Sequence, residues 1–157
     1  MLAALLFMRR MADLTRVSLI GEGHPDGAHA AQAPELPKGV ALYEIAGPLF
    51  FGAAQKATSR MGATGGRTRV LIIRMDHVPA MDATGLVALE SALAQLYKNG
   101  CQAILCGLQH QPAGLLYRAK IAETPGKLTI RPDLSAAIAR AREIVDPSPP
   151  QSGDSAL

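Results

Sequence analysis

The sequence predicts an α/β sandwich built on a largely parallel sheet, and three observations carry that prediction. Segments of strand character alternate with segments of helical period four times between Val40 and Val145, and each connection is long enough to cross back over a sheet. The run Val70-Leu-Ile-Ile73 is continuously apolar and rich in β-branched residues. That pattern marks a strand covered on both faces, and so the centre of the sheet. The 157 residues are 48% hydrophobic but only 4% aromatic, with no Trp, so a single core must be filled by Leu, Ile, Val and Ala.

The elements follow in chain order. Residues 1–8, MLAALLFM, are apolar and end on Arg9-Arg10. Eight apolar residues fall short of the ~20 that cross a bilayer, and a secretory signal places its charges before the apolar run, not after it. An apolar segment closed by arginines is how a transmembrane helix emerges on the cytoplasmic side. Residues 1–15 are therefore expected to be the end of a membrane helix with its linker, cut from a longer protein; an amphipathic N-terminal helix is the alternative. Residues 16–39 are expected to be a connecting loop, since GEGHPDGAHAAQAPELPKG from Gly21 onward shows neither strand nor helix period. VALYEIAG, from Val40, reads as a strand closed by the Gly47-Pro48 turn. In LFFGAAQKATSRMG, Phe50, Ala54, Ala57 and Met61 share a helical face.

After Gly65-Gly66 come the central strand and the stretch VPAMDATGLVAL. Leu86, Leu89, Leu93 and Leu96 then recur at helical spacing until Asn99-Gly100 supplies a stop. Ala103 to Cys106 is a short apolar strand, Pro112 to Ala122 a helix with Leu115, Leu116 and Ala119 inward, and Lys127 to Ile130 a last strand. Pro132-Asp133 opens a final helix with an apolar face of Leu134, Ala137, Ile138 and Ala141. Residues 40–145 thus form one domain. The tail, residues 146–157, has no core residues to bury and reads as disordered.

Composition excludes several functions. Residues 40–145 hold 12 Lys and Arg against 7 Asp and Glu, a net of +5. These charges are scattered singly along the sequence without aromatic interleaving, which argues against nucleic acid as a partner; a diffuse positive field favours an acidic protein instead. Cys101 and Cys106 on one extended strand lie roughly 16 Å apart, beyond the ~7 Å that a disulfide spans, so a reduced compartment fits. His24, Asp26 and His29 lie on a loop without cysteine or a rigid frame, and no metal site is expected there.

Enzyme motifs fail in turn. Gly126-Lys127 is followed by Leu128 and preceded by Ile121 where a phosphate loop needs glycine. Gly21, Gly23 and Gly27 miss the dinucleotide spacing, and Gly62, Gly65 and Gly66 follow a helix rather than a strand. Thr84 as a nucleophile lacks an evident general base and orienting group. The stretch around it reads in two ways. Asp82 as N-cap would accept a hydrogen bond from the first turn and complement the helix dipole, worth about 0.5 to 2 kcal/mol. Gly85 costs ~1 kcal/mol against Ala inside a helix and caps nothing so early, so a backbone or a ligand is expected to approach it closely. Thr84, with its hydroxyl near solvent at a helix N-terminus, could also carry a phosphate, apart from repulsion by Asp82.

At these residues the sequence resembles the STAS domain, shared by bacterial anti-sigma-factor antagonists and by the cytoplasmic C-terminal part of SulP-family (sulfate permease) anion transporters. The likeness rests on VLIIRM, then DHVPAMDATGL, then a leucine helix, within about residues 40 to 145. In the antagonists the motif is Asp-Ser-Ser-Gly-Leu with its second Ser phosphorylated; here Thr84 holds that position and Ala83 replaces the first Ser. GPLFFGAA at 47–54 and ALLFMRRMADLT at 4–15 are similar to the transporter branch. The resemblance implies a four-stranded, mostly parallel or mixed sheet with about five helices, no catalysis and no cofactor. It also implies a regulatory or docking role on the cytoplasmic face of the inner membrane, in a carrier of sulfate, bicarbonate or a dicarboxylate. Asp82, Thr84 and Gly85 would be its motif or phospho-switch; Met81, Leu86, Phe50 and Phe51 would dock partners, namely the transmembrane domain of the parent chain, a second copy, or an acidic cytosolic protein. A free-standing antagonist switched at Thr84 is the alternative.

Overall fold

The computed structural model describes residues 16–20, 34–50 and 68–147. Within them the alternation seen in the sequence becomes five strands and three helices: β1 Arg16–Ile20, β2 Val40–Ala46, β3 Val70–His77, α1 Ala83–Lys98, β4 Gln102–Cys106, α2 His110–Arg118, β5 Leu128–Arg131 and α3 Leu134–Val145. The strands lie in sequential order in one sheet. β2 to β5 run parallel, with β3 in the middle as its apolar run requires. β1 is antiparallel to β2, pairing Arg16 with Ala46 and Ile20 with Leu42.

The two faces of the sheet follow from the alternation of side chains along each strand. Leu71, Ile73 and Met75 of β3 join Tyr43 and Ile45 of β2 and Leu105 of β4 on one face, where Leu89, Ala92, Leu93 and Leu96 of α1 and Leu116 of α2 cover them. Val70 and Ile72 join Leu42, Ile104 and Cys106 on the other, beneath Ala137 and Ala141 of α3. Successive parallel strands added in one direction carry their connecting helices on the same face. The helix after the last strand is free to close the opposite one, and α3 does so.

Two differences from the sequence expectation have local causes, and one expected cap is present. Residues 16–39 do not begin as a loop, because RVSLI forms the edge strand β1; the four parallel strands expected are present, and β1 adds an antiparallel fifth at the edge. Asp133 caps α3 through Ala136 N–H at 2.8 Å, as its position after Pro132 suggests. The helix expected over Pro112–Ala122 instead starts at His110 and ends at Arg118, because Lys120 adopts a left-handed φ of 59°. The Arg9-Arg10 segment, the His24 loop, the helix expected to follow Phe50, with Phe51, and the tail beyond Pro147 lie outside the described residues.

Candidate functional site

The β3–α1 connection is held from three sides. After β3, Val78 turns back through its N–H to the Met75 carbonyl at 3.0 Å, and the chain beyond β2 runs alongside it. Gly47 donates to the His77 carbonyl at 2.8 Å and Leu49 to the Ala80 carbonyl at 2.9 Å; Leu49 and Met81 form a parallel bridge. From α2, Gln111 grips the Met81 backbone with both ends of its amide. The Met81 N–H donates to Oε1 and Nε2 donates to the Met81 carbonyl, each at 2.9 Å. Gln109 Nε2 donates to the Asp76 carbonyl at 2.6 Å.

Asp82 then caps α1 with an extended φ of −99°. Its Oδ1 accepts from Gly85 N–H at 2.7 Å and from the Thr84 hydroxyl at 2.6 Å, so one carboxylate oxygen both closes the first turn and orients the threonine. Gly85 is buried because the first turn of α1 packs against the chain after β2. A Cβ there would overlap the Leu49 carbonyl oxygen and lie 3.0 Å from Met81 Cγ. The close approach expected at Gly85 is thus that of the protein's own backbone. Ala83 and Thr84 remain exposed, Leu86 is half-buried, and Val87, one turn on from Thr84, is 59% exposed.

Met81 corrects the expectation for it. It is 2% exposed and belongs to the core under α1, so its side chain cannot meet a partner while this packing stands. Phe50 is half-buried beside Leu49. The outward edge that the structure assembles is therefore Ala83, Thr84 and Val87, with Leu86 at its margin.

Beside this edge, at the same end of the sheet but on the α3 face, lies a charged group that sequence spacing did not reveal. Arg74 places Nε and Nη2 on Asp76 Oδ2 at 2.9 and 2.6 Å and Nη1 3.7 Å from Glu44. His77 Nδ1 is 3.5 Å from Glu44 and 3.4 Å from Asp76. The hydrogen bond to Asp76 raises the Arg74 pKa, against the desolvation that lowers it. Cys106, under the same face, is pushed up to about 11, first by burial and then by the Asp76 charge; its thiol stays protonated and a poor nucleophile near neutral pH. Both cysteines are free. The only sign of the charged group in the sequence was two polar residues, Arg74 and Asp76, alternating at the end of an apolar strand. Gln109 and Gln111 gave none, because a glutamine acts here through where α2 delivers it. Among the described residues no cluster of side chains could hold a metal ion, and no helix is long and apolar enough to cross a membrane.

Comparison with known proteins adds five findings. The protein-family model described as the STAS domain matches residues 32–137. YvdB of Bacillus subtilis (strain 168), a candidate sulfate transporter, is 29% identical over 128 residues, which make up 81% of this chain and 23% of that protein; the chain spans less than a quarter of the relative it matches. Among solved structures, the sulfate transporter family protein from Wolinella succinogenes is 31% identical with a TM-score of 0.64, covering 78% of this chain and 98% of that one. The SulP transporter STAS domain from Vibrio cholerae is 27% identical with a TM-score of 0.60, covering 73% and 89%. The unphosphorylated anti-sigma factor antagonist SpoIIAA, 14% identical with a TM-score of 0.54 over 71% and 96% of the two chains, shares the fold.

Proposed function

This chain belongs to the STAS domain family, and we propose that it serves as the cytoplasmic STAS domain of a SulP-type anion transporter. In this reading it is a non-catalytic module that docks on the membrane domain of its parent chain through the edge formed by Ala83, Thr84, Leu86 and Val87. Sulfate, bicarbonate or a dicarboxylate would be the cargo of the parent, and nothing in the domain would touch it.

The observation that carries the reading is placement. Arg16 pairs with Ala46, Ala46 pairs with His77, and Leu49 bridges Met81 just before α1. A chain arriving from residues 1–15, whose apolar start is closed by Arg9-Arg10, therefore joins the sheet at the end where the motif lies. A domain suspended from a membrane helix at that end turns the same end toward the membrane part. The sequence likeness to transporter-linked domains supports this branch of the family. The parent reading frame tests it: membrane-spanning segments encoded before residue 1, and anion uptake lost when residues 34–147 are deleted, are the expected results. A native gene without such segments sinks the proposal.

A second reading is favoured by the Thr84 hydroxyl alone, which is exposed at a helix N-terminus. A free-standing antagonist would be switched by phosphate there. The modification removes the proton that Thr84 donates to Asp82 and sets a charge of about −1.5 to −2 beside that carboxylate. Incubation with a cognate kinase should then add phosphate to the protein, and Thr84→Ala should abolish the addition.

A further inference from the structure

Basic residues that look scattered along the sequence are gathered by the fold at the end of the sheet opposite the motif. In a parallel β-α-β unit the helix runs back against its strands, so α1 and α2 both terminate where β4 and β5 begin. α1 ends on Lys98 and α2 on Arg118, followed by Lys120. Lys127 enters β5, its backbone carbonyl accepting from Ala103 N–H at 2.8 Å, and its Nζ stands 5.9 Å from the centre of the Tyr97 ring. All four cations are exposed, and beside Arg118 lies Tyr117, 84% exposed.

Lys98 and Arg118 complement the helix dipoles at these C-termini; that role does not extend to Lys120 and Lys127, which lie beyond the helices. Among the described residues none of these four cations forms an ion pair with a carboxylate. Glu123, the carboxylate in the connection between α2 and β5, accepts from Ile130 N–H at 2.7 Å and from Arg131 Nη1 at 2.8 Å. Tyr117 and the neighbouring Arg118 are residue types enriched at protein interfaces, and the three lysines around them add a positive field that complements an acidic partner.

We propose that this edge, centred on Tyr117 with Lys98, Arg118, Lys120 and Lys127, docks an acidic segment of a soluble protein. The choice of a soluble occupant over an anionic lipid surface rests on the reading above, in which the chain enters at the motif end. β3 alone, at about 3.3 Å per residue, sets the basic edge about 25 Å from that end, several Debye lengths at physiological salt. Four cations with one tyrosine also fall short of the phosphate-tracking groove and stacked aromatics that single-stranded nucleic acid needs.

The test is fluorescence anisotropy of a labelled 20-residue polyglutamate peptide titrated with the 157-residue chain. The same titration is run with phosphatidylglycerol vesicles and with a single-stranded DNA of equal length. Saturable peptide binding is expected, weakening as salt rises. Lys120→Glu and Lys127→Glu should each reduce it about fivefold or more, and Tyr117→Ala by about threefold, values typical of partly exposed interface contacts. His110→Glu, exposed at the start of α2 and so at the opposite end of that helix from the patch, should change it less than twofold. Unchanged melting temperatures would separate lost binding from lost folding. The proposal is overturned if the peptide does not bind, if His110→Glu weakens it as much as the patch variants do, or if vesicles or DNA bind more tightly than the peptide and lose binding with the same variants. A parent gene without membrane segments would remove the transporter reading while leaving the peptide titration as it stands, so the two can fail separately.

Discussion

Asp82 Oδ1 receives two hydrogen bonds, from Gly85 N–H and from the Thr84 hydroxyl, and the first turn of α1 depends on both. Asp82→Ala should lower stability by about 1 to 2 kcal/mol, the usual cost of losing an N-cap, and should free the Thr84 rotamer; urea denaturation and the Thr84 methyl resonance would report the two effects. Gly85→Ala should cost more, at least about 2 kcal/mol, because the obstruction is the Leu49 backbone rather than a side chain that can turn away. Cys106 gives a pH signature. Burial raises its pKa to about 11, so between about pH 9 and 11 the native state holds a proton that the unfolded chain has released. Stability therefore falls as pH rises through that window and is insensitive to this thiol below it. Unfolding curves of the wild type and Cys106→Ala from pH 8 to 10.5 should diverge in slope; parallel curves would refute the assignment. At this scale the sequence announced the cap, because an Asp before a leucine-spaced run has one ready meaning. It also announced that something approaches Gly85, but could not say what, since Leu49 lies 36 positions away.

The two helices on the motif face close with the same hydrogen-bond pattern and different residues. After α1, Gly100 donates to Tyr97 and Cys101 to Leu96, at 3.1 and 2.9 Å; after α2, Lys120 donates to Tyr117 and Ile121 to Leu116, both at 3.0 Å. Each is a Schellman closure, requiring one left-handed residue. Gly100 takes φ 71° without strain, whereas Lys120 takes 59° with a side chain. Lys120→Gly should therefore raise stability by about 0.5 to 1 kcal/mol, seen as a higher denaturation midpoint with an unchanged slope. The same contrast explains why the end of α1 could be read from Asn99-Gly100 while the end of α2 was placed at Ala122: nothing in Arg-Ala-Lys-Ile proclaims a stop. Gln111 is the element-scale link that the sequence hid. Gln111→Ala removes two hydrogen bonds from the Met81 backbone and should speed hydrogen exchange at the Met81 amide, with a stability loss of about 1 to 3 kcal/mol.

At the scale of the whole molecule the domain has two unlike ends. The strand C-termini carry the motif edge, with Thr84 and Val87 outward and the Glu44, Arg74, Asp76 and His77 group beside it. The strand N-termini carry the lysines. Periodicity sufficed for the parallel sheet and its central strand, because the apolar pattern from Val70 to Ile73 is imposed by burial on both faces. Neither the polarity of the two ends nor β1 was visible, since both depend on which distant segments are brought to one edge. The proposed docking role requires that the motif end meet the membrane part of a parent chain. Site-directed cross-linking in membranes containing the intact parent polypeptide tests this most directly, with a short cysteine-reactive photo-crosslinker placed at Val87→Cys or at Lys127→Cys. Adducts joining the domain to the membrane portion from position 87 and not from position 127 are the predicted result; adducts from position 127 and none from position 87 would contradict it.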